Sequence, residues 1–176
     1  MGNRATVIFT NQDEKDISPA VYLHWNGGPE SIYAFLDEMD RRNIRVNDTM
    51  YECARFIHIV GDFFDMDEIS SLSLGVTNGP KKIEPKELEK TRTDHGDNGF
   101  YIIHRMNKGR RVKRFVCKYD KKYTYQGIHE VPLKEVKAEM KRAYENRYNT
   151  PDPSDPKHKT IAQYFIKIQG KRKIEE

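Results

Sequence analysis

The chain has 176 residues, 33% of them charged and 36% hydrophobic, with a formal net charge of +4. That length supports one domain with a real hydrophobic core plus an appendage, and argues against two separate domains. No apolar run reaches the ~18 residues of a membrane span, and Met1-Gly2-Asn3-Arg4 leads straight into a strand pattern, so a cytoplasmic protein is expected.

Cys53 and Cys117 sit inside apolar patterns without CxxC spacing, and read as reduced core residues. The charge is split along the chain. Residues 1–105 hold 12 Lys+Arg against 18 Asp+Glu, a net −6, while residues 106–176 hold 19 against 9, a net +10. An acidic face and a basic half follow, the second suited to a nucleic acid or an acidic partner.

Ala5–Thr10 is a first strand, and the polar stretch Asn11–Ser18 leads to a second at Ala20–Leu23, the two most simply paired as a hairpin. Trp25, Asn26, Gly27 and Gly28 then break the alternation, and Pro29 opens a helix. Ile32, Tyr33, Phe35, Leu36 and Met39 recur on its apolar face. Asn26, Gly27 and Gly28 before a helix N-terminus read either as an anion site or as a tight structural turn. Glu30, in the first helical turn, favours the turn.

Asn47 or Asp48 caps a second helix over Thr49–Phe64, with Glu52 in capping-box style. Met50, Cys53, Ala54, Ile57, Val60 and Phe64 are its expected core face. Tyr51, Arg55, His58 and Asp62 form a polar stripe at i, i+4, i+7 and i+11, which is either a functional side or a solvated one. The acids Asp62, Asp65, Asp67 and Glu68 lack the glycine and the spacing of a calcium loop, so no metal is expected. Ser71–Val76 is a third strand, and Pro85–Lys90 at best a short surface helix.

Asp94, His95, Asp97 and Asn98 cluster in a loop before the strand Phe100–His104. Asn107-Lys108-Gly109 turns that strand into another at Val112–Tyr119. Arg111, Lys113, Arg114 and Lys118 make the second strand basic, as a phosphate surface or as a charged edge that resists aggregation. Tyr119, Tyr123 and Tyr125 follow. Pro132 opens a third helix to about Tyr148, whose docking stripe is Leu133, Val136, Met140 and Tyr144. Lys134, Lys137, Lys141 and Arg142 fill its remainder, and interleaved tyrosines and cations are what backbone-tracking nucleic-acid surfaces use.

The expected architecture is therefore α+β: an antiparallel sheet of about five strands with two core helices on one face, then a C-terminal helix and tail. Residues 1–118 form the core domain, 119–148 a basic helical extension, and 149–176 a linker and tail peptide. The linker holds three prolines in six residues. Beyond it, His158-Lys159-Thr160-Ile161-Ala162-Gln163-Tyr164-Phe165 resembles the sliding-clamp-binding peptide of archaeal and eukaryotic replication proteins. Ile161, Tyr164 and Phe165 would plug the clamp, although His158 stands where that motif has Gln. The alternative is docking on its own domain.

Met1–Ala5, the YLHWNGG stretch at Tyr22–Gly28, Tyr51 with Ala54-Arg55, and the DNGFYII stretch at Asp97–Ile103 together resemble a family of small phage and mobile-element proteins. The resemblance covers about residues 1–116 and implies a mobile-element setting. There, small proteins without a catalytic signature often inhibit or modulate host machinery, including its defences. No nucleophile, zinc or Walker motif is present. The leading expectation is a non-enzymatic protein, without a cofactor, that engages a host protein or a ribonucleoprotein or DNA complex. Two alternatives remain. One is a nucleotide or phosphoester hydrolase built from the HWNGG and DHGDN loops, with His24, His95 and Asp97, joined by His58 and Asp94. The other is a DNA-associated protein recruited by a sliding clamp.

Overall fold

The computed structural model describes residues 3–64, 74–91 and 98–149. Its elements in order are β1 (Ala5–Phe9), β2 (Ala20–Leu23), α1 (Pro29–Arg41), α2 (Thr49–Phe64), β3 (Leu74–Thr77), α3 (Pro85–Lys90), β4 (Phe100–Arg105), β5 (Arg110–Tyr119), β6 (Tyr125–Val131) and α4 (Leu133–Asn149). The fold is α+β. One six-stranded sheet runs β3-β2-β1-β4-β5-β6.

Two details differ from the expected five-stranded antiparallel sheet. β1 pairs β4 in parallel, with Val7 opposite Tyr101, while every other neighbouring pair is antiparallel. The first hairpin places β2 on one side of β1, so the other side is filled only after the chain has crossed over through the helices. Such a crossover can bring the next strand in parallel. The sixth strand, β6, pairs β5 from Arg114↔Val131 to Tyr119↔Tyr125. Its alternation is faint because Gln126, Gly127, His129 and Glu130 surround the two buried residues, Ile128 and Val131. Strand pairing thus runs past residue 118, and β5 is an interior strand rather than a charged edge.

Period-two alternation divides the core into two layers. Ala5, Val7, Phe9, Val21, Leu23, Tyr101 and Ile103 face α1 and α2, and pack on Ile32, Phe35, Leu36, Met39, Phe56, Ile59 and Val60. Ile8, Ala20, Phe100, Ile102, Phe115 and Ile128 form the opposite layer, closed by Leu88 of α3. The apolar face of α1 is the expected one. That of α2 is turned: Met50 is 60% exposed and Ala54 is exposed, whereas Phe56 and Ile59 are buried. Apolar residues run almost without a break from Phe56 to Val60, so the spacing alone leaves the facing side open.

β3 begins at Leu74, and residues 71–73 of the expected third strand lie outside the described residues, as do Asp65, Asp67 and Glu68. Among the described residues no helix is long and apolar enough to cross a membrane.

Candidate nucleic-acid interface

At one end of the sheet the loop after β2 meets the segments flanking β1 and β4. Asn26 takes a left-handed conformation, φ 58°. The Asn3 amide donates to the His24 carbonyl, and Gly27 donates back to the Asn3 carbonyl at 2.8 Å. Asn98 donates to the Arg4 carbonyl, and its side-chain amide bonds that of Asn3. Gly27 is required for this close approach, since a Cβ there would lie 2.6 Å from the Ala5 Cβ. At Gly28 a Cβ would lie 2.6 Å from a carboxylate oxygen of Glu30, a residue that is itself 7% exposed. The backbone donor of Gly27 is thus used by the fold, and Glu30 supplies negative charge where an anion would approach the helix. Nδ1 of His24 bonds the Tyr22 hydroxyl at 3.1 Å, and its ring meets Trp25 edge-on. Asp94, His95 and Asp97 lie outside the described residues, as do Ile161, Tyr164 and Phe165 of the tail.

The polar stripe of α2 is brought together, with its groups engaged locally. The guanidiniums of Arg45 and Arg55 both lie over the Tyr51 ring, 4.5 Å and 5.0 Å from its centre. Asp62 pairs with Arg42 at 2.7 Å, and His58 stands 3.8 Å from the same carboxylate oxygen.

The cations of β5 divide by strand parity. Arg114 faces the helices and is buried: it donates to the Asn98 carbonyl at 3.0 Å, pairs with Glu139 of α4 and lies over the Tyr101 ring. Arg111 and Lys113 face the other way and share Glu14, at 3.3 and 2.6 Å. His104 opposes Arg111 on β4; burial first, then Arg111, holds its imidazole below the ordinary histidine range.

α4 presents a different picture. Val136 is its buried anchor, while Lys134, Lys137, Lys141 and Arg142 are all exposed. At about 100° per residue Lys134 and Lys141 fall opposite Val136, and Lys137 and Arg142 lie on the two flanks. Leu133, expected in the docking stripe, is 51% exposed. Among the described residues Lys134, Lys137 and Arg142 have no acidic partner.

Beyond Cys117 the β5–β6 hairpin outruns β4 and ends in Tyr119–Gln126, all exposed. An irregularity between Cys117 and Tyr119 and a positive φ of 94° at Gly127 mark a bulge that reorients the tip. Asp120 organises the turn, accepting the N–H groups of Lys122 at 2.8 Å and Thr124 at 2.9 Å. Those bonds hold its carboxyl below the ordinary range.

A buried ion cluster at the other end of the sheet escapes sequence reasoning. Arg105, 2% exposed, donates to Asp40 and to the Ile44 carbonyl. Its Nη1 lies 3.9 Å from Glu52, a residue 3% exposed. Burial pushes the Glu52 carboxyl up to about 7 against the pull of Arg105. Arg110 extends the cluster to Asp37 and Asp40. The one signal for it is Glu52 in a first helical turn, which reads as capping. Among the described residues no group of three or more His, Cys, Asp or Glu could hold a metal ion. None of the known protein families, curated proteins or solved structures compared with this chain matches it.

Proposed function

We propose that this chain is a non-catalytic binding protein of a mobile genetic element, which engages nucleic acid, free or in a host complex, through its basic C-terminal half. The observation that carries the reading is the outward face of α4. Lys134, Lys137, Lys141 and Arg142 are exposed on the solvent side of a helix anchored through Val136 and the Arg114–Glu139 pair, with the acid Glu135 at the edge of that side. Cations gathered on a seated helix can neutralise phosphate charges, and each phosphate neutralised releases counterions. The exposed tyrosines beyond Cys117 add flat apolar faces to the same half of the chain. The mobile-element setting rests on the resemblance of the MGNRA, YLHWNGG and DNGFYII stretches.

The test is fluorescence anisotropy of labelled DNA and RNA strands with the full chain at low salt. The same titration is made with the triple variant Lys134→Glu, Lys137→Glu, Arg142→Glu, whose sites lie on the solvent side of α4. Binding by the natural chain and its loss in the variant support the reading; binding that survives the reversal goes against it.

A further inference from the structure

We propose that the tip of the β5–β6 hairpin is a stacking platform for unpaired bases, so that the nucleic acid held by this chain is single-stranded. This rests on the reading that the basic half binds nucleic acid, and adds which form is bound and where its bases sit.

The tip reads Lys118-Tyr119-Asp120-Lys121-Lys122-Tyr123-Thr124-Tyr125-Gln126, without one aliphatic side chain. Its side chains are three tyrosine rings and three lysines, with Asp120, Thr124 and Gln126 between and beside them. Tyr119, Tyr123 and Tyr125 are 56%, 90% and 46% exposed. The Tyr119 and Tyr125 rings meet edge to face at 5.8 Å, and the Tyr125 hydroxyl is tied to Glu89 of α3. Two of the three rings are therefore held in place before any ligand arrives.

Tyr123 is the most telling. It sits at φ 60°, in the left-handed region where glycine or asparagine is the comfortable choice, with its ring almost wholly in water. The fold gains nothing from an aromatic ring there. Its backbone is nonetheless fixed, because its N–H donates to the Asp120 carbonyl and the Asp120 side chain ties down both neighbours. A rigid turn that displays a tyrosine at a strained position points to use of the ring.

Lys118, Lys121 and Lys122 are exposed, and among the described residues none of them pairs with an acid. Three rings and three ammonium groups lie within residues 118–125. Bases within a duplex bury their faces against each other, whereas single strands offer them to aromatic side chains.

The experiment is fluorescence anisotropy with three probes of equal length: a thymidine-rich DNA strand, a uridine-rich RNA strand and a DNA duplex. The full chain is compared with Tyr123→Asn and Tyr123→Phe, and thermal unfolding is recorded for each. Asparagine suits the left-handed backbone, so Tyr123→Asn is expected to keep or raise the melting temperature. It is expected to lose roughly tenfold in affinity for single strands and less than about twofold for duplex. Tyr123→Phe keeps the ring and the affinity, and the two single-stranded probes show whether DNA or RNA is preferred. If Tyr123→Asn binds single strands as tightly as the natural chain, or loses duplex affinity equally, the platform is refuted while the basic half remains a binding surface. Should the natural chain bind none of the probes, both this inference and the reading beneath it fall.

Discussion

Arg114 and Glu139 form an ion pair that joins the fifth strand of the sheet to the C-terminal helix. The Arg114 side chain is 6% exposed and that of Glu139 37%, so the pair lies at the seam where α4 settles onto the domain. The same guanidinium bonds the Asn98 carbonyl and covers the Tyr101 ring, which faces α1 and α2 in the core. Together with the buried Val136, this side chain seats the helix that carries the outward lysines.

Arg114→Ala should therefore act on stability first. Removing a buried, multiply bonded guanidinium leaves Glu139 and the Asn98 carbonyl without it, a loss of about 2–3 kcal/mol. Urea unfolding measures that loss. Nucleic-acid affinity should fall as well, because α4 loses its seat. An Arg114→Ala chain of unchanged stability would show that the pair does not hold the helix.

Gly27→Ala separates a structural turn from an anion site. The added Cβ would meet the Ala5 Cβ at 2.6 Å and its backbone nitrogen at 2.7 Å, with no flexible side-chain end to give way. A destabilisation of about 2–3 kcal/mol is expected, with no specific change in phosphate binding. A variant that kept its melting temperature while losing affinity for phosphate would instead identify this loop as an anion site.

Glu52 should leave a mark on the pH dependence of stability. Its folded-state value, raised by burial to about 7, exceeds the ordinary carboxyl value of 4.5. The folded state therefore holds the proton more tightly than the unfolded chain. The stability so gained is full below the unfolded value and is lost as pH rises through the folded one. Between pH 5 and pH 8 the loss is on the order of 3 kcal/mol. Glu52→Gln mimics the protonated form, so it should match the natural chain at pH 5, exceed it at pH 8, and flatten the profile between. An identical slope in both chains would assign the pH dependence to other groups.

Asp120→Ala tests whether the hairpin tip is pre-organised. Without the carboxylate, the N–H groups of Lys122 and Thr124 lose their acceptor and the turn loosens. Affinity for single strands should drop although no ring or lysine has been removed. The folded-state value of Asp120 is depressed, so the order it provides is present above the ordinary carboxyl range and disappears as pH falls through the depressed value. Unchanged affinity in Asp120→Ala would show that the rings act without a rigid turn.

What the sequence makes legible depends on how clean each period is. Ala5–Phe9, Ala20–Leu23 and the apolar face of α1 are plain, because alternation and helical spacing there have one solution. α2 is ambiguous, since apolar residues surround Phe56 and Ile59 and only the packed sheet selects the facing side. β6 is hidden by its polar residues and its glycine bulge. The parity of β5 is likewise open from spacing: Lys113 and Arg114 are adjacent cations, and burial of one of them follows from where α4 lies. The Arg105–Glu52–Asp40 cluster needs β4 beside the ends of both core helices, a long-range placement that no local pattern encodes. Of the candidate sites, the outward cations of α4 were legible from spacing. The fixed geometry of the hairpin tip was not, because its turn depends on the Asp120 side chain.

The most direct measurement is the salt dependence of nucleic-acid affinity for the natural chain and for Lys134→Glu, Lys137→Glu, Arg142→Glu. In the natural chain log affinity should fall linearly with log salt, with a slope of about −0.7 for each phosphate neutralised on a single strand. The triple variant, folded to the same melting temperature, should bind at least roughly tenfold more weakly at low salt and show a shallower slope. Equal slopes and equal affinities in the two chains would contradict the claim that the basic C-terminal half is the binding surface.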